Sequence, residues 1–289
     1  MNSTKTTGRP GEYAIARKNL SRRRSLHQDN SRVSPYNSQN SEGPHVNVMQ
    51  RGHSFVATPA PFRFEAHHAL LLTLSCAAGC IDAVSYLQLG NVFTANMTGH
   101  AVLLGIAVVE GKTLTTLYAL LAIVGFVSGA AWGGWVTTYS ARDGRWSRPV
   151  TRVLVHESVV LVALALIWAA IAAHSAALVP CAISASAFAM GLQSAAMRSL
   201  NISGVATTYI TGTLTSLACM TVERIRKRKN GEHPEKPPDT ALLGAVWIIY
   251  VLGAVLGAMA AMHAPRLGFI IPAALVTLVT ALAAWRFGR

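Results

Sequence analysis

Residues 67–88 read HHALLLTLSCAAGCIDAVSYLQ, and this stretch decides the fold. Between Ala69 and Leu87 the one charged residue is Asp82, over a length close to the roughly 20 residues a helix needs to cross a bilayer core. A run of that length with no polar face has no side to turn toward water, so it reads as a membrane span.

Further apolar runs follow at about 92–109, 115–139, 153–173, 177–198, 205–222, 241–262 and 267–285. The whole chain is 52% hydrophobic and 13% charged, against roughly 25% charged residues in soluble domains. The class is therefore an all-α, polytopic membrane protein. The net charge of +13 sits in the tail and loops, where anionic lipid headgroups attract it. No base-reading module accompanies it, so nucleic acid is not an expected partner.

Residues 1–66 differ in kind. They are rich in Ser, Asn, Arg, Pro and Gly and carry 10 Lys/Arg against 4 Asp/Glu. Without apolar periodicity they cannot bury enough surface to offset the entropy of ordering, and they are expected to be a disordered basic tail. The tail lacks a secretory leader's apolar core. Two readings of it stand: an Arg- and Ser-rich organelle transit peptide, or sequence upstream of a translation start at Met49. Residues 67–289 form the single transmembrane domain.

The second and sixth runs are short and open on Thr- and Gly-containing sequence. Basic residues cluster at 140–152 (Arg142, Arg145, Arg148, Arg152) and 223–240 (Arg224, Arg226, Lys227, Arg228, Lys229, Lys236), and such loops stay cytoplasmic. Eight crossings would put the two clusters on opposite sides of the membrane. Six crossings plus two re-entrant or broken segments put both clusters, the N-terminus and Arg286/Arg289 on the cytoplasmic side. Six is the preferred reading and eight the alternative.

Val92–Gly99, VFTANMTG, matches Val205–Gly212, VATTYITG, at four of eight positions. Ahead of each lies a helix with an early glycine, Gly79 and Gly191. After each comes a Gly-x-x-x-Gly pair, Gly125/Gly129 and Gly253/Gly257. The halves, about 67–173 and 177–285, each hold three crossings, and an odd number inverts the second half relative to the first. Inverted repeats with discontinuous helices build many secondary transporters. Glycine pairs alone also serve helix packing.

Asp82 is the outstanding candidate for chemistry, since a carboxylate at membrane depth costs at least about 2.5 kcal/mol and calls for a partner or a cavity. Ser85 and Tyr86, three and four positions on, share its helix face and can donate to it. Asn96, Thr98, Gly99, His100, Gln193, Thr207, Thr208, Thr211 and Gly212 add polar groups or permissive backbone to the two special regions, where they are candidates to line a solute or ion pathway. His156 and Glu157 are read as interfacial, with Glu157 complementing a helix N-terminus. Cys76, Cys80, Cys181 and Cys219 all fall in apolar runs, where Cys packs as a small hydrophobe, and no third or fourth ligand completes a metal site. Hydrolase, zinc-protease, Walker and dinucleotide motifs are absent. The sequence therefore points to no catalytic residue, metal or cofactor.

GCIDAVSYLQLGNVFTANMTGHAVLLG (79–105) and AMGLQSAAMRSLNISGVATTYITGTLTSLA (189–218) resemble the signature stretches of the YoaK-like bacterial membrane proteins. The resemblance extends over about 67–287, although His100 stands where the family usually has Asn. It implies a bacterial inner-membrane location and no established activity. The leading functional expectation is a small-solute transporter or permease, proton- or cation-coupled. The alternative is a non-transporting scaffold or assembly factor. The implied partners are the bilayer, an unidentified solute or ion, and a second copy of the chain.

Overall fold

The computed structural model describes residues 66–138, 146–171, 177–200, 210–231 and 240–287. Residues 1–65 of the tail, Thr207, Thr208, Arg142, Arg145 and Lys236 lie outside the described residues. The described chain contains eight α-helices, α1 (Ala66–Gln88), α2 (Met97–Val109), α3 (Thr113–Val136), α4 (Arg148–Ile171), α5 (Leu178–Leu200), α6 (Ile210–Lys229), α7 (Thr240–His263) and α8 (Ile270–Phe287), with a 3-10 turn at Pro265–Leu267.

Six of them, α1, α3, α4, α5, α7 and α8, are long and apolar enough to span a membrane. The other two are the segments that sequence marks as special. α2 has 13 residues, about 20 Å at 1.5 Å per residue, too short for a hydrocarbon core of about 30 Å. α6 has 20 residues but ends in Arg226, Lys227, Arg228 and Lys229.

Local chemistry explains the breaks. α1 stops where Gly90 and Asn91 both take positive φ, at 75° and 64°, a region glycine enters without penalty and asparagine tolerates. Asn96 then caps α2 by accepting from the Gly99 N–H at 3.3 Å, which satisfies one of the free donors of a helix start. Gly111, φ 68°, turns the chain from α2 into α3.

α1 is the most enclosed span and packs extensively along α7, as α5 does along α3. α4 joins α5 and α8, α1 joins α8, α2 lies on α3, and α6 lies on α7. The two close pairs depend on glycine. A Cβ on Gly79 would overlap the Tyr250 carbonyl, and one on Gly253 or Gly257 the Cys76 or Cys80 carbonyl. In the other pair Gly191 faces the Phe126 carbonyl, Gly129 the Phe188 carbonyl and Gly125 the Ser184 carbonyl, while a Cβ on Gly133 would meet the Ala195 Cβ at 2.7 Å. Small residues permit this backbone approach, and dispersion along the seam holds it where lipid offers no hydrophobic drive.

Buried hydroxyls and amides add interhelical hydrogen bonds. Ser75 donates to the Val246 carbonyl at 2.9 Å, and Gln193 donates to the Leu74 carbonyl at 3.2 Å. The Ser158 and Thr280 hydroxyls meet at 2.8 Å between α4 and α8. At the outer faces the large apolar side chains of α2, α3, α4, α7 and α8 stay exposed, as lipid contact requires.

The basic ends gather at one pole. Trp146, beside the start of α4, stacks on Phe287 at the end of α8, and Arg224 donates to Thr240 at the start of α7 at 3.1 Å. Six alternating spans bring the end of α3 and the end of α5 to that same pole.

Candidate functional site

The site grows from α1, whose buried face carries Asp82 into the bundle, where only 4% of it is exposed. The chain leaving α1 folds back over this helix before α2 begins. Two consecutive backbone donors, the Thr94 and Ala95 N–H groups, meet Asp82 Oδ1 at 2.9 Å each. From the neighbouring span α7, the Tyr250 hydroxyl donates to Oδ2 at 2.6 Å. A further contact is longer, with Thr94 Oγ1 at 3.5 Å from Oδ1 and 3.3 Å from Ser85 Oγ.

An ionised carboxylate is an acceptor on both oxygens, and here each oxygen has a donor. Charge-assisted bonds of this kind are shorter and roughly twice as strong as neutral ones. The arrangement is a clasp: one side chain ties the returning segment 89–96 to α1 and ties α1 to α7. The His100 imidazole, 1% exposed, lies near enough to act on Asp82 electrostatically, and its Nε2 meets the Phe93 carbonyl at 2.5 Å.

The sequence candidates separate on this geometry. Asp82, Ser85 and His100 come together around Thr94. Tyr86 does not join them; it is 38% exposed and stacks on Phe93 with centroids 4.8 Å apart. Asn96 is a helix cap, Gly99 sits against it, and Thr98 is exposed. Gln193 is buried and bridges α5 to α1. Thr211 is exposed and Gly212 half-buried on α6, which packs on α7, whereas α2 packs on α3. The two Thr-Gly steps therefore belong to separate packing environments and do not build one extensive shared surface.

One residue escaped the sequence reading and another was misplaced by it. Tyr250 is a lone hydroxyl in an apolar span, and the available signal was that a buried Tyr O–H needs an acceptor. Glu157 requires a correction. α4 starts at Arg148, so Glu157 stands in the third turn rather than at the interface, and it is fully buried. His156 keeps an outward place and accepts from Trp132 Nε1 at 3.3 Å. Among the described residues no three metal-ligating side chains gather.

These features define a polytopic α-helical membrane protein with six spans and a short segment clasped inward by a buried carboxylate. The chain belongs to the family described as Protein of unknown function (DUF1275), which matches residues 70–283. It is 35% identical over 200 residues to the UPF0700 transmembrane protein YoaK of Bacillus subtilis (strain 168), covering 68% of this chain and 84% of that protein. No solved structure matches the chain.

Proposed function

We propose that the protein is a small-solute transporter or permease of the bacterial inner membrane, built as an inverted repeat of 67–173 and 177–285, with both termini and both basic clusters cytoplasmic. One observation carries this reading. The glycine contacts correspond residue for residue: positions 76, 79 and 80 against 253, 250 and 257 in one pair, and 188, 191 and 192 against 129, 126 and 133 in the other. The first helix of each half lies along the third helix of the other half. Gly129/Gly133 is thus the counterpart of Gly253/Gly257, one turn beyond the Gly125/Gly129 pair that the sequence alone suggests.

Two interlocked halves of opposite orientation give a bundle two arrangements of nearly equal energy, which is the basis of alternating access. Buried acidic groups supply the means to couple exchange to a proton or cation. In this scheme Asp82 holds the returning segment in place, and its three donors suit it to that task. The scaffold reading draws on the same small-residue packing and on the Asp82 clasp, but gives no role to the unpartnered Glu157.

The test begins with metabolites that change between cells with and without the gene, followed by their uptake into proteoliposomes holding the purified protein. Uptake that depends on the protein and responds to an imposed pH or cation gradient is expected. Folded protein that moves none of the accumulated solutes would refute the proposal.

A further inference from the structure

Glu157 is the buried carboxyl that the clasp does not use. It is fully enclosed, and neither of its oxygens has a hydrogen-bond partner. A carboxylate left so would forfeit several kcal/mol of hydration, and a carboxylic acid would still have an unused O–H.

The surroundings narrow what completes the site. α4 packs against α3, α5, α8 and the 3-10 turn. The ionisable groups those elements carry are Tyr118 on α3, Cys181 and Arg198 on α5, Arg286 on α8 and Arg266 in the turn. Tyr118 is half-buried and the other four are exposed. On α4 itself Arg148, Arg152 and His156 are exposed as well. The adjacent Ser158 and Thr280 hydroxyls bond to each other, and Thr280 reaches the Leu154 carbonyl at 3.2 Å. A metal cation would need several further oxygen ligands, whereas a proton needs one.

A cleft of about 460 Å³ lies between α3 and α5, lined by Gly134, Thr137, Ser194, Ala195 and Arg198 among others. Ala195 borders it, and the place of a Gly133 Cβ is 2.7 Å from the Ala195 Cβ and 3.4 Å from Val153 Cγ1 on α4. Glu157 follows Val153 by one turn of α4, about 5.4 Å.

We propose that Glu157 is a proton-binding site inside the bundle. The site rests on the transport reading only for the use made of the proton. Dicyclohexylcarbodiimide is an apolar reagent that adds across the O–H of a protonated carboxylic acid, placing the proton on one nitrogen and the carboxyl oxygen on the central carbon, with no leaving group. The full chain in liposomes is treated with it over a range of pH, and adducts are located by peptide mass spectrometry.

The expected result is an adduct on Glu157 whose yield falls as pH rises and which is absent from folded E157Q. No adduct on Glu157 at any pH, or a pH-independent yield, would overturn the proposal. A pH-dependent adduct in a protein that moves no solute keeps the proton site and removes transport alone.

Discussion

Removing the Tyr250 hydroxyl tests the clasp most directly. Tyr250→Phe deletes one donor, the 2.6 Å bond to Asp82 Oδ2, and leaves the ring to fill the same space. Hydrogen bonds to charged groups contribute about 1.5–3 kcal/mol each, so Tyr250→Phe should lower unfolding stability by that amount. Asp82→Asn keeps an oxygen for the Thr94 and Ala95 N–H groups and turns an amide toward Tyr250, whose hydroxyl then serves as acceptor. The loss is the charge assistance, about 1–2 kcal/mol. Asp82→Leu strands two buried N–H groups and one hydroxyl at about 1–3 kcal/mol each, which makes it the most damaging of the three.

The measurement is reversible unfolding in mixed detergent micelles, run as a double-mutant cycle on Asp82→Asn and Tyr250→Phe. Residues in direct contact show coupling of about 0.5–3 kcal/mol. A coupling energy indistinguishable from zero, or an Asp82→Leu protein as stable as wild type, would refute the clasp. In a six-span bundle such losses loosen segment 89–96 before they unfold the rest, so hydrogen exchange at Thr94 and Ala95 should accelerate in both single variants.

Gly253→Val should cost at least about 1–3 kcal/mol in the same assay, because even its Cβ would overlap the Cys76 carbonyl. Gly105→Ala on α2, where a Cβ meets nothing within 4 Å, should be neutral or stabilising by up to about 1 kcal/mol. Single cysteines at Ser147 and Asn230, both at the basic pole, should resist an impermeant maleimide in intact cells and react after lysis; labelling from outside at either position would refute the cytoplasmic assignment. Lys227, 2.6 Å from Glu223, holds that carboxyl below its ordinary range. Its small contribution is therefore present above the ordinary carboxylate range and fades as pH falls through the lowered value. Glu223→Gln should leave pH-dependent unfolding almost unchanged, because an exposed pair is largely screened.

How much of this was legible depended on the kind of residue. The spans were readable because a bilayer demands long apolar runs whatever the tertiary packing, and the expected 67–88 and 241–262 correspond to α1 and α7 within a residue or two. The special character of α2 was readable too, since its apolar run is short and opens on Thr- and Gly-containing sequence; the break at Gly90-Asn91 and the Asn96 cap emerged only in the structure. Partners were not readable. Tyr86 was a reasonable donor to Asp82 by helical spacing, yet helix rotation turns it outward and Tyr250, 168 positions away, takes the role. Glu157 was misplaced for a related reason: the basic start at Arg148 belongs to α4 itself, which moves the residue from the helix end to its middle.

The contrast between the close contacts and the acidic groups bears on mechanism. Under the proposed correspondence of halves, the glycine-to-carbonyl contacts recur because a backbone crossing excludes a Cβ whatever the flanking side chains do. The clasp does not recur. The position of Asp82 falls on Ser194 and that of Tyr250 on Phe126, and both of these line the α3–α5 cleft. Where the α1–α7 pair is closed by a carboxylate and a phenol, the α3–α5 pair is open and bears Arg198 at its margin. On the proposed transport reading, such an asymmetric filling of two corresponding helix pairs would be one of the two states of an alternating-access cycle. A phenol at 126 facing a carboxylate at 194, as in a Phe126→Tyr/Ser194→Asp double variant, should reduce access to the cleft. Slower maleimide labelling of a cysteine placed at Thr138 would measure that reduction, and unchanged labelling would separate the clasp from any role in closure.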